Sequence, residues 1–131
     1  ISQIFETRGE EYFRELETGL LVELQQRDGV IVSCGGGTPM RECNVAEMKK
    51  SGIIVLLTAR PETIFERVRY SHNRPLIEHN KTVEYIAELL EKRREKYEAA
   101  ADVTIATDGK DTREICREIQ DSVKEWEKQS C

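Results

Sequence analysis

The 131-residue chain has little of what marks several common functional classes. No apolar run approaches the roughly 18 residues needed to cross a bilayer, and no signal peptide is visible. Positive charge is not in excess. Twenty basic residues face 25 acidic ones, for a formal net charge of -5, which argues against a general nucleic-acid or membrane surface. The four cysteines, Cys34, Cys43, Cys116 and Cys131, make no CxxC pair. Cys43 and Cys116 fall on predicted helices, so all four are expected as free thiols in a reducing cytoplasm rather than as metal ligands. Internal repeats, low-complexity tracts and linkers are missing too, and the length suits one domain with one core.

What is present centres on Ser33-Cys34-Gly35-Gly36-Gly37-Thr38-Pro39. The short β-branched run Val30-Ile31-Val32 before it predicts a buried strand. Three glycines then let the backbone lie directly against another molecule. In open α/β sheets ligands collect at such strand ends.

The chain opens in a helix that Gly9 breaks. A second helix carries Phe13, Leu16, Leu20 and Leu24 as one apolar face. Arg14 and Glu17, three apart, can be neighbours there; on a helix surface such a pair contributes little. After Asp28-Gly29 and the glycine run, Arg41 to Lys50 predicts a helix. The run Ile53 to Leu57 predicts a strand covered on both faces. Pro61 opens a helix that turns Ile64, Phe65 and Val68 inward. Ser71 to Lys81, with His72, Arg74 and His79, loses the pattern and predicts a loop. A long helix follows, with Val83, Ile86, Leu89 and Leu90 on one face and Arg93 and Tyr97 beyond. Val103 to Ala106 predicts a strand, Thr107 to Lys110 a turn, and Ile115, Ile119, Val123 and Trp126 a final amphipathic helix. Strands alternating with helices imply a layered α/β fold with a parallel sheet. Arg67, Arg74 and Arg93 could converge on anions, since each offers a planar fork matched to carboxylate or phosphate.

Several of these pieces occur together in one family. Ile4-Phe5 with Gly9-Glu10, Phe13-Arg14 with Glu17, the strand into Gly35-Gly36-Gly37, Arg74-Pro75-Leu76, and Arg93 with Tyr97 and Ala100-Ala101-Asp102 resemble shikimate kinase in order and spacing. The resemblance implies ATP-dependent phosphorylation of the shikimate 3-hydroxyl, on the way to chorismate and the aromatic amino acids. It implies an α/β fold with a three-layer parallel sheet of the P-loop kinase type, in a single domain over residues 1–131. Residues 1–29 would be the shikimate-binding helices and residues 71–81 a lid that excludes water on closing. Arg14 and Arg93 would hold the shikimate carboxylate, with Glu17 supporting Arg14. Gly35, Gly36 and Gly37 would lie against the ring, beside Phe13. Arg74 would be the catalytic arginine on the ATP phosphates. Arg67 would stack on adenine, Lys110 would lie in the adenine-side loop, and Ser33 would meet Mg²⁺ through water.

The pattern also departs from the family. Glu95 stands where the family often has proline, with little effect expected. No GxxxxGK[ST] phosphate loop occurs in these residues. The family's first strand, the helix it feeds and the second strand, a unit of about 30 or more residues, are not found either. The resemblance places that first strand between the strands at Val30–Val32 and Ile53–Leu57. Three arrangements are then open: a longer protein whose upstream segment completes the sheet, direct pairing of the two strands, or self-association. The 131 residues alone are expected to be inactive. Two other readings are a non-catalytic binding or regulatory module of the same shape, and another small-molecule kinase such as a gluconate kinase.

Overall fold

The computed structural model describes residues 2–68 and 82–130. Helix α1 runs Ser2–Leu24, α2 Glu42–Ser51, α3 Pro61–Val68, α4 Val83–Ala100 and α5 Thr112–Ser130; strand β1 is Val55–Thr58 and β2 Val103–Ala106. A 3₁₀ turn, Thr38–Met40, follows the glycines.

The two strands pair in parallel, Val55 opposite Val103 through Thr58 opposite Ala106. Side chains fix both ends of this pair. At the start, Asp102 donates its N–H to the Ile54 carbonyl (2.8 Å), and its carboxylate accepts from the Ile54 N–H (2.9 Å). At the end, Thr107 donates both its N–H and its hydroxyl to the Thr58 carbonyl, each at 2.8 Å. The main apolar cluster lies where α3 meets α4: Val68 and Ile86 are buried, with Ile64, Phe65, Leu89 and Leu90 against them. Thr82 caps α4 by accepting from the Tyr85 N–H at 3.0 Å, which satisfies one of the unpaired donors of the first turn. The inward placement of Ile64, Phe65 and Val68, and the strand at Val103 to Ala106, agree with the sequence pattern.

Three expectations need correction. Val30, Ile31 and Val32 form no strand; they are exposed, Ile31 completely. A β-branched run becomes a strand only when a neighbour takes its backbone hydrogen bonds, and among the described residues none pairs with it. Likewise Ile53–Leu57 is not covered on both faces, because Leu57 is half exposed. In α1 the buried leucine is Leu21, while Leu16 and Leu20 are exposed. The inward side of this helix holds Arg14, Glu17 and Thr18 beside Phe13 and Leu21. Apolar periodicity therefore misplaced Leu16 and Leu20, while Phe13 and Leu24 of the same stripe are partly buried. Gly9 does break the helix, as expected: its φ of 85° and ψ of 170° lie outside helical space, where a Cβ would be strained.

Candidate functional site

α1, the glycine run with its 3₁₀ turn, and α4 enclose a hollow of about 200 Å³, lined by Glu10, Arg14, Gly37, Met40, Arg41 and Arg93. Gly37 lines it, and the glycine run lets both arginines approach the backbone closely. A Cβ on Gly37 would stand 2.6 Å from both terminal nitrogens of Arg14, and one on Gly36 would stand 2.9 Å from Arg93 Nη1 and 3.1 Å from the Tyr97 hydroxyl. Gly35 is looser, with Glu17 at 3.6 Å its nearest neighbour. The two guanidinium groups thus press on adjacent peptides of one backbone ridge.

Each arginine is held differently. Arg14 Nη1 donates to Glu17 Oε1 at 2.7 Å, and Glu10 lies 3.7 Å from Nη2. The Arg14 and Glu17 side chains are only 12% and 15% exposed, so this is a part-buried pair and not the weak surface pair their spacing alone suggests. Arg14 also lies over the Phe13 ring, 5.1 Å from its centroid, a cation–π contact. Arg93 Nη1 donates to the Tyr97 hydroxyl at 3.2 Å, which in turn donates to the Gly36 carbonyl at 2.6 Å. Among the described residues Arg93 has no carboxylate partner. A guanidinium that lines a hollow and has no carboxylate partner is suited to an anionic guest. Arg41, which sequence reasoning passed over, is a third cation at the rim, donating to Glu11 Oε1 at 2.6 Å. Its place in a helix N-cap gave no periodic signal.

The other candidate residues fall elsewhere. Ser33 is exposed. Arg67 reaches across from α3 to the turn after β2, donating to Thr107 Oγ1 (3.0 Å) and to the Thr107 carbonyl (3.2 Å). Asp108 in that turn accepts from the Arg60 N–H (3.0 Å) and the Thr63 hydroxyl (2.6 Å). The Thr63 hydrogen bond first, then the Arg60 N–H, hold its carboxyl below the ordinary 3.8. Lys110 pairs with Glu118 on α5 at 2.7 Å. Arg67 and the 107–110 turn are therefore joined through Thr107. Arg74 and the whole 71–81 segment, with His72 and His79, lie outside the described residues. Cys34, Cys43 and Cys116 carry free thiols. The Cys34 thiol is pushed above its ordinary value by burial and then by the negative charge of Glu17. Among the described residues no helix is long and apolar enough to cross a membrane.

Comparison with known proteins fits this geometry. The family model described as Shikimate kinase matches residues 1–124. A shikimate kinase of Dehalococcoides mccartyi is 38% identical over 130 residues, covering 99% of this chain and 73% of its own. One from Geobacter sulfurreducens is 38% identical over 125 residues, covering 95% and 68%. Among solved structures, a shikimate kinase from Acinetobacter baumannii in complex with shikimate superposes with a TM-score of 0.84 at 32% identity, covering 90% of this chain and 66% of that one. The Aquifex aeolicus enzyme gives 0.76 at 34% identity, covering 94% and 71%. The chain thus spans about two thirds to three quarters of the length of these relatives. In class it is an α/β kinase of the P-loop type, its small parallel sheet flanked by helices. More narrowly, the chain belongs to the shikimate kinase family, whose members are ATP-using transferases.

Proposed function

We propose that the hollow between α1 and α4 is the acid-binding pocket of a shikimate kinase, and that Arg14 and Arg93 hold the carboxylate of shikimate. The observation that carries this is the packing of both guanidinium groups on Gly36 and Gly37, with Arg93 free of any carboxylate among the described residues. The relative from Acinetobacter baumannii was solved with shikimate bound, which supports the same ligand here. Two planar forks on one carboxylate fix its position and its rotation. A fixed ring presents one hydroxyl to a phosphoryl donor, and that orientation accounts for a large part of phosphoryl-transfer catalysis. The peptides of Gly35 to Gly37 lie beneath the ring, and a side chain at Gly36 or Gly37 would displace an arginine. Phe13 supports Arg14 from behind.

ATP supplies the phosphoryl group. In this reading Arg67 and the 107–110 turn border the adenine, and Arg67 acts by holding Thr107. Lys110, tied to Glu118, shapes the same turn. For Mg²⁺ the described residues are a poor fit: they contain no cluster of three or more carboxylate, imidazole or thiol groups, and Ser33 supplies a single hydroxyl.

The deciding experiment uses the full-length protein. Arg14→Lys and Arg93→Lys keep the charge and lose the fork. Each is expected to raise the KM for shikimate by about 10-fold or more, as loss of one charge-assisted hydrogen bond implies, while the KM for ATP stays within about twofold. Unchanged shikimate KM in both variants would defeat the assignment.

A further inference from the structure

We propose that Asn44 and Thr38 form a positioning clamp that holds the Arg14 guanidinium against Gly37, and so sets the affinity of the pocket for its acid. This rests on the reading of the pocket as the shikimate carboxylate site. Neither residue touches the hollow. Asn44, on α2, is fully buried, and Thr38 is 3% exposed.

A buried amide must satisfy both its donor and its acceptor ends, and Asn44 does so with two segments that flank the site. Its Nδ2 donates to the Thr38 carbonyl at 2.9 Å. Its Oδ1 accepts from the Thr18 hydroxyl at 2.6 Å, and that hydroxyl lies 3.1 Å from the Arg14 carbonyl, one helical turn back. Thr38 completes the circuit from the other side. Its hydroxyl donates to Glu17 Oε2 at 2.9 Å, and Glu17 Oε1 accepts from Arg14 Nη1 at 2.7 Å. Hydrogen bonds therefore run from Arg14 through Glu17, Thr38 and Asn44 to Thr18, joining α1, the glycine turn and α2, and the α1 backbone between Arg14 and Thr18 closes the circuit. Inside the loop sits the contact of Arg14 with Gly37.

A structural role alone would be met by an apolar side chain of the same volume. The two bonds at Thr38 do something more specific. The carbonyl bond fixes the residue after Gly37, and the hydroxyl bond fixes the carboxylate that orients Arg14. Both partners of the crucial contact are thereby placed by one residue. A guanidinium fork grips a carboxylate only within a narrow range of position and angle, so slack in this loop loosens the substrate acid and leaves the nucleotide untouched.

The test uses the full-length protein and reads the KM for shikimate and for ATP separately, together with a crystal structure of one variant. Thr38→Val keeps the shape and removes only the hydroxyl. It is expected to raise the shikimate KM by about 10-fold, the loss typical of a hydrogen bond to a charged group, with the ATP KM within about twofold. Thr38→Ser restores the hydroxyl and is expected to recover most of the loss. Asn44→Asp keeps the acceptor and removes the donor to the Thr38 carbonyl, and is expected to act in the same direction. A shikimate KM in Thr38→Val within about twofold of the parent would overturn the clamp. So would an ATP KM that rises in step, or a serine variant no better than the valine. If Asn44→Asp fails to fold, the Thr38 pair decides alone. If the parent protein shows no shikimate-dependent turnover, the substrate reading fails, and the clamp is judged by the Thr38→Val structure. There a guanidinium still seated on Gly37 would refute it.

Discussion

A methyl group at position 37 would meet Arg14 at 2.6 Å, whereas one at position 35 would meet its nearest neighbour at an ordinary 3.6 Å. The obstructing atoms at 37 belong to the end of a flexible side chain, so the chain can fold around the substitution by moving the guanidinium. Gly37→Ala is therefore expected to leave stability within about 1 kcal/mol of the parent, the usual scale for small changes away from the core. Its shikimate KM is expected to rise by about 10-fold or more, because the fork has moved. Gly36→Ala should behave in the same way through Arg93 and Tyr97, and Gly35→Ala should be nearly silent. Steady-state kinetics beside urea unfolding of the three variants would check the order. Equal effects at 35 and 37 would show that the close approach of Arg14 is not what position 37 serves. The three glycines read alike in sequence; their separate neighbours appear only in space.

At the scale of elements, the turn after β2 is fastened to α3 by Asp108 and Arg67 and to β1 by Thr107. Asp108 accepts one bond from the Arg60 N–H, just before α3, and one from Thr63 in its first turn. A negative charge at a helix N-terminus is favourable. The carboxyl is held below its ordinary 3.8, so its ionised form is favoured by folding. The stabilisation is complete above the unfolded-state value and is lost as pH falls through the lower folded-state value. Asp108→Asn should consequently unfold at lower urea than the parent near neutral pH. The gap should close as the pH drops below about 4, where the unfolded carboxyl takes its proton. A gap that is independent of pH would assign the effect to shape instead of charge. Helix α1 makes a related point. Its inward face carries the polar Arg14, Glu17 and Thr18, so a rule based on apolar spacing picked Leu16 and Leu20 in place of Leu21.

For the whole molecule, the sheet has two strands among the described residues, and the Val30 to Val32 run is exposed where its local pattern predicts a strand. The sequence contains no GxxxxGK[ST] loop, the motif whose lysine and peptide nest cradle the phosphates of ATP. A preparation of these 131 residues is expected to show no shikimate-dependent ADP release in a coupled assay. Rapid turnover by the short chain would mean that another part of it cradles the nucleotide. The residues themselves determined a good deal: the helices, the strand at Val103 to Ala106, the inward Ile64, Phe65 and Val68, and the family, through the order of Arg14, the three glycines and Arg93. Those depend on spacing along the chain, which hydrogen bonding and side-chain periodicity convert directly into local structure. Tertiary structure alone decided which face of α1 turns inward, that Val30 to Val32 stays unpaired among the described residues, and that Asn44 and Thr38 tie Arg14 to Gly37. A strand exists only with a neighbour, and a buried amide has meaning only with partners 6 and 26 residues away; neither condition is written in any single stretch of the chain.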